Sequence, residues 1–370
     1  MKKFLYFLPL LSLILSACGK EENEQEKPDD FVADTNEKYE FTMSGDEFVA
    51  INFADLHINE TASLSPNSII EKTIRNSINE NKPNIITFSG DNCWTESVLT
   101  CYKALCDFMD EFEIPYFFIL GNHDRETTSA SQIFNIINKS KFGHFTKGSV
   151  DDNSYGNYTI SIRNRSEQLL HKILMMDSRD YCTPKEEDYS YVESPVNGVY
   201  YSEHFNPSTQ KTEKIYGYPI YDGIRDKQID WYKNEVNENV ETTLIAHMPI
   251  IEYTKAIEQY LTAKENSNQE LINQMQPIGN CSIKETVCSC VKNYGLFDTM
   301  KTCGSTKNMI CGHEHVNDFS LVYDGIRLTY AVKTGNLAYW DESGQTNGCT
   351  KLKIDATGAA SISQYYYIAN

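Results

Sequence analysis

An α/β fold is what this chain of 370 residues predicts, and three observations carry the expectation. From about residue 46, short apolar runs of strand length alternate with segments whose apolar residues recur at helical spacing. Three early runs end on residues suited to holding a cation: Asp55-Leu56-His57, Gly90-Asp91-Asn92 and Gly121-Asn122-His123-Asp124. Two later runs end the same way, at His247 and at Gly312-His313-Glu314-His315. Open α/β sheets build their sites where the carboxyl ends of strands face a shared crevice, so such residues are expected to gather there.

The chain opens with Lys2 and Lys3, an apolar run from Phe4 to Ile14, and Leu15-Ser16-Ala17-Cys18. The run is too short to cross a bilayer as a finished helix and reads as a secretory signal over residues 1–17. Small residues before a cysteine resemble the lipobox of bacterial lipoproteins. That resemblance implies lipidation of Cys18 and a place in the cell envelope, on the periplasmic or surface face of the outer membrane. Residues 18–45 are polar and acidic and read as a flexible tether, the alternative being a small docked strand within Tyr39–Met43. One domain over residues 46–370 is the simplest account of the rest.

Loss of Lys2 and Lys3 with the signal would take the formal net charge from −19 to about −21. Such an acidic exterior argues against nucleic acid or anionic lipid headgroups as general partners, and a site for a phosphorylated small molecule would need local positive charge. Ten cysteines follow Cys18, an even number that suits disulfides in an exported chain. Cys281, Cys288, Cys290 and Cys303 are expected to pair, with a structural zinc site as the alternative. Cys93, two residues beyond Asp91, reads as buried or bridged, with metal ligation as the alternative.

The elements follow in order. Phe48–Phe53 is a buried strand running to Asp55. Ser65-Pro66 starts a helix carrying Ile70, Ile74 and Ile78 at fourfold spacing. Asn84–Ser89 leads to Gly90-Asp91. Val98, Tyr102, Leu105, Met109 and Phe112 mark one face of a second helix, and Tyr116–Leu120 leads to Gly121-Asn122-His123. Further strands are Tyr158–Ile162, Lys172–Met176, Thr242–Ala246, Asn308–Cys311, Arg327–Lys333, Lys351–Ile354 and Ser361–Tyr367. Tyr181–Tyr221 reads as irregular, and it holds eight of the 24 tyrosines. Such a rim would stack on a sugar or base, or simply pack on its own loop.

Five of the eight histidines fall in the polar endings: His57, His123, His247, His313 and His315. With Asp55, Asp91 and Asn122 they supply ligands for two adjacent divalent ions and leave one imidazole over. Asp91, with two oxygens, is the natural bridge. His313 and His315 on an extended segment would point the same way. Mixed imidazole and carboxylate ligation suits Zn, Mn, Fe or Co. Two such ions would clamp a phosphoryl group and generate hydroxide as the nucleophile. The glycines at 90, 121 and 312 would permit tight turns and close backbone approach.

Taken together, the five segments resemble the signature of the calcineurin-like metallophosphoesterases. The resemblance implies a four-layer α/β/β/α sandwich with two central mixed sheets. One ion would be held by Asp55, His57, Asp91 and His315, the second by Asp91, Asn122, His247 and His313. His123, paired with Asp124, would meet the phosphate and protonate the leaving group as hydroxide attacks phosphorus in line. A phosphomonoester is the expected substrate; the alternatives are a phosphodiester or nucleotide on the same site, or a surface lipoprotein that binds without catalysis. Gly156-Asn157-Tyr158, Met176-Asp177-Ser178, Tyr216-Gly217-Tyr218, His247-Met248-Pro249, Asn293-Tyr294-Gly295-Leu296-Phe297 and Gly312-His313-Glu314-His315-Val316-Asn317-Asp318 are similar to the purple-acid-phosphatase-like branch. The coloured members carry Asp-x-Gly where this chain has Asp55-Leu56-His57, and an iron-binding tyrosine where it has Trp94. A purple ferric centre is therefore not expected. Some plant members of the branch are labelled inactive.

Overall fold

The computed structural model describes residues 38–367 apart from 151–152, 183–200, 207–209, 217–219, 237–239, 280, 282, 291 and 339–346. The signal segment, Cys18 and the tether up to residue 37 lie outside the described residues. Two mixed sheets form the centre. The first has six strands in the order Ala360–Tyr366, Gly348–Asp355, Glu47–Phe53, Ile85–Ser89, Tyr116–Ile119 and Gly143–His144. Its last four are mutually parallel and the first two form an antiparallel edge. The second has seven, in the order Lys38–Thr42, Tyr158–Arg163, Leu169–Met175, Glu241–Ile245, Thr306–Cys311, Ile326–Tyr330 and Ser320–Tyr323.

Aromatic rings join the sheets face to face. Phe117 of the first meets Tyr39 at 5.0 Å and Phe41 at 6.0 Å between ring centres, and the Tyr158 hydroxyl donates to the Phe118 carbonyl at 2.6 Å. The helix Ile69–Asn81 covers the far side of the first sheet. The helices Asp226–Glu235, Glu252–Glu265 and Leu296–Cys303 bury Trp231, Tyr232, Tyr253, Ile257 and Phe297 against Leu244 and Met309 on the far side of the second. The architecture is thus helix, sheet, sheet, helix, with an apolar core on each side of each sheet.

Several boundaries differ from the sequence expectation. Lys38–Thr42 is a strand, parallel to Tyr158–Arg163, so the alternative of a docked strand near Tyr39–Met43 holds and the chain enters the fold before residue 46. Its inward Tyr39 and Phe41 explain why: two rings give an otherwise acidic segment something to bury. The first helix begins at Ile69, where the Ser68 hydroxyl accepts from the Glu71 amide, and Ser65-Pro66 lies in the turn before it. A hairpin of Tyr201–Asn206 with Lys211–Tyr216, and a short pair of Tyr181–Cys182 with Ile220–Tyr221, occupy the stretch expected to be irregular.

The expected disulfides are not formed among the described residues: Cys281, Cys288, Cys290 and Cys303 are thiols. They gather no cluster able to hold a metal either. Burial holds the Cys288 thiol well above its usual range, with Glu314 adding to it, and pushes Cys290 up to about 12, so both are protonated packing groups. Cys93 is likewise buried and outside the metal-ligand clusters.

Candidate metal centre

Parallel strands from both sheets deliver their polar ends to one place. Beyond Phe53, the Asp55 amide bonds the Gly90 carbonyl at 3.2 Å and the His57 amide bonds the Asp91 carbonyl at 3.0 Å, which ties the first two segments together. The sheets are laced by the Thr334 amide donating to the Ala54 carbonyl at 2.8 Å, while within the second sheet the Gly312 amide donates to the His247 carbonyl at 2.9 Å and ties its two ligand segments together. Asp55, His57, Asp91 and His313 all lie in the left-handed region, with φ of 53°, 50°, 51° and 79°. Asp and His tolerate this conformation better than most residues, and each instance costs on the order of 1–3 kcal/mol, repaid by the surrounding ladder.

Two overlapping ligand clusters result. Ligand atoms of Asp55, His57, Asp91 and His315 lie within 4.8 Å of one another, and so do those of Asp91, His247 and His313. Asp91 belongs to both. Its Oδ2 stands 3.3 Å from His247 Nε2 and 3.7 Å from His57 Nε2, while His57 Nε2 and His315 Nε2 are 2.8 Å apart. Asn122 joins the second cluster, its Oδ1 3.1 Å from His247 Nε2 and its amide nitrogen donating to the Tyr181 hydroxyl at 2.9 Å. His247 Nδ1 donates to the Ser89 carbonyl at 2.9 Å, which orients the ring with Nε2 toward the site.

Close approach is built into the turns. At Gly90, with φ of +97°, a Cβ would stand 2.6 Å from His247 Nδ1, and at Gly121 it would overlap Asp91 Oδ1. The segment Gly312–Val316 is not extended as expected. It turns after Cys311, and the left-handed φ of His313 sends His313 and His315 into different clusters.

The electrostatics match a cation site. Burial would raise the Asp91 carboxyl, yet the His247 charge and hydrogen bond hold it well below the usual carboxylate range. Burial, with Asp91 adding, pushes Asp55 up to about 6. Burial and Lys333 keep His57 well below its ordinary value, so it presents a neutral lone pair. Burial opposes charge on His247, but Asp91 and Asp55 lift it to about 9. Converging carboxylates and imidazoles of this kind form a donor set that fits divalent transition metals.

His123 stands outside both clusters, half-buried, its amide donating to Asp91 Oδ1 at 2.9 Å. The expected pairing with Asp124 is not made. On this tight turn the two side chains diverge: Asp124 turns inward to accept from the amides of Gly121 at 2.8 Å, Cys93 at 2.9 Å and Asn92 at 3.0 Å. His123 Nδ1 instead lies 2.7 Å from Glu126 Oε1. Asp124 is thus a clamp for the turns that carry Asp91 and Asn122. Burial alone would disfavour the imidazolium of His123, but the Glu126 bond and the Asp91 charge raise its pKa.

Sequence reasoning missed Glu126, and it missed Lys333. The latter is a buried lysine beyond the strand Ile326–Tyr330, its Nζ without a hydrogen-bond partner; burial pulls it down to about 8, against the charges of Asp55 and Asp91. An ionisable residue in a strand expected to be buried was the available signal. Trp94 stands on the rim with its indole nitrogen donating to Glu126 Oε2 at 3.1 Å.

Comparison with known proteins agrees with this geometry. The family described as calcineurin-like phosphoesterase matches residues 51–317, and the chain belongs to that family. It is 24% identical over 335 residues to "Probable inactive purple acid phosphatase 29" of Arabidopsis thaliana, covering 82% of this chain and 75% of that protein. It is 25% identical over 308 residues to "Probable inactive purple acid phosphatase 14" of the same plant, covering 79% and 67%. Among solved structures it is similar to a dimetal phosphatase from Danio rerio, at a TM-score of 0.47 and 11% identity over 86% of this chain and 99% of the other. Family membership implies divalent metal ions and, with the buried Asp/His cluster, points to metal-dependent phosphoester hydrolysis.

Proposed function

From membership of the calcineurin-like phosphoesterases as premise, we propose that this chain is a phosphomonoesterase working with two divalent metal ions. The observation that carries the reading is the sharing of Asp91 between two ligand clusters while His123 belongs to neither. Asp55, His57, Asp91 and His315 would hold one ion, and Asp91, Asn122, His247 and His313 the other. Ions there would polarise the phosphoryl oxygens and lower the pKa of water.

The chain's own residues do the remaining work. The strand-end turns fix the ligands before substrate arrives, and the Asp124 clamp holds the loops of Asp91 and Asn122 in register. His123, oriented by Glu126, faces the departing oxygen and gives it a proton from its ring. In its setting, the enzyme would be an exported lipoprotein anchored through Cys18, with the acidic tether leading to the domain; the sequence pattern alone supports this.

The plant relatives are named as probably inactive, which keeps a second reading, a chain that does not turn over substrate and only binds it. Metal-reconstituted protein assayed on phosphomonoesters, diesters and nucleotides, beside Asp91→Ala and His123→Ala, separates the two. Monoester turnover that falls sharply in both variants is the expected result. Equal rates in all three proteins would remove the catalytic reading, and activity confined to diesters would replace the substrate class.

A further inference from the structure

Among the described residues, two large apolar side chains are exposed, Trp94 at 44% and Tyr181 at 37%, and both stand at the metal centre. One exposed ring needs no explanation, but two bordering the same centre invite one. Trp94 is held firmly: its amide donates to the Ile58 carbonyl at 3.0 Å, and its indole nitrogen is tied to Glu126. Its ring lies 4.8 Å from that of His123 and 5.7 Å from that of His57. Beside the second cluster, Tyr181 stacks on Tyr221 at 5.4 Å, and Tyr221 meets the His313 ring edge-on at 4.7 Å. Flat rings therefore border both clusters.

The position of Trp94 is the informative one. In the hydrolase reading, on which this inference rests, His123 meets the oxygen of the departing alcohol. Whatever that oxygen carries must then lie against the ring packed on His123. We propose that Trp94 is the stacking platform for the leaving group, and that the substrates are phosphomonoesters of a flat, unsaturated ring system, aryl or nucleoside. Ring stacking adds affinity without demanding particular polar groups. Glu126, at the indole edge, disfavours a leaving group that carries further negative charge.

The test compares kcat/KM for an aryl phosphate, a nucleoside monophosphate and glycerol phosphate in the metal-loaded full chain and in Trp94→Ala and Trp94→Phe. Because the indole also touches Glu126, the readout is the ratio of ring to alkyl substrate rather than either rate. The ratio should fall about 10- to 100-fold in Trp94→Ala, mostly through KM, and be largely kept in Trp94→Phe. Loss of aryl preference alone, or of nucleoside preference alone, identifies the natural ring. An unchanged ratio overturns the proposal. Tryptophan fluorescence on titration with a nucleoside monophosphate gives an answer independent of turnover. A change seen in the native chain and absent from Trp94→Phe supports stacking even if nothing is hydrolysed, in which case only the hydrolase reading fails. Turnover with equal ratios and no fluorescence change leaves the hydrolase standing and removes the platform.

Discussion

The two sheets meet at the metal centre and contribute different things to it. The first supplies Asp55, Asp91 and Asn122, with His57 the one imidazole, from turns in which Asp55, His57 and Asp91 all lie in the left-handed region. The second supplies imidazoles alone, His247, His313 and His315. The carboxylate ligands therefore sit on the first sheet, and the second contributes none. The second sheet also carries a histidine that is no ligand. His171 is fully buried, with Nδ1 at 3.0 Å from the Gly358 carbonyl and Nε2 at 3.0 Å from the Thr243 hydroxyl. His247 has one partner outside the site, the Ser89 carbonyl at Nδ1, and its Nε2 faces Asn122 and Asp91 within it. The difference lies in the second partner: for His171 it is a lone hydroxyl, for His247 the oxygens of two other candidate ligands.

Replacements ranked by expected effect would break or sharpen this contrast. Asp91→Ala removes the oxygens shared by both clusters and should lower kcat on the order of 10³-fold or more, measured at saturating metal. His247→Ala should weaken the second cluster alone, so that activity returns in part as metal is raised; a loss as complete as that of Asp91→Ala would erase the distinction between the sheets. Glu126→Gln leaves both clusters intact and should cost about 10-fold in kcat by loosening His123, with metal binding unchanged.

The smallest effect lies outside the site. Burial depresses the pKa of His171 to about 4 from its ordinary 6.5. The unfolded chain takes up that proton first as pH falls. The stability this neutral histidine supports is therefore intact above pH 6.5 and is lost as pH drops toward 4, by up to about 3 kcal/mol. Urea unfolding at pH 7 and pH 5 should show a flatter pH dependence in His171→Gln than in the native chain. An identical slope would mean that this histidine is not held neutral.

Much of the site was legible because each ligand follows an apolar strand run directly, as at Phe53 before Asp55 and at Cys311 before His313. Most strands of both sheets were legible for the same reason; the short edge strands Gly143–His144 and Ser320–Tyr323 were not. Roles set by the path of a turn were not. Neighbouring residues suggested a pair of His123 with Asp124, whereas the tight turn brings Glu126 to the imidazole and turns Asp124 onto three amides. Lys333 becomes a site residue only when the two sheets are brought together. The helix Ala130–Ile137 announced itself by a capping box of Ser129 and Gln132, but its short apolar face hid it. The even cysteine count misled because Cys93, Cys101, Cys106, Cys290, Cys311 and Cys349 are buried thiols that fill apolar space in the fold.

Metal content per chain tests the shared role of Asp91 most directly. Protein saturated with manganese or zinc, freed of excess ion and analysed by mass spectrometry should hold about two ions per native chain, about one in His247→Ala, and fewer than one in Asp91→Ala. Full occupancy in Asp91→Ala, or a native chain that retains no metal, would contradict the account.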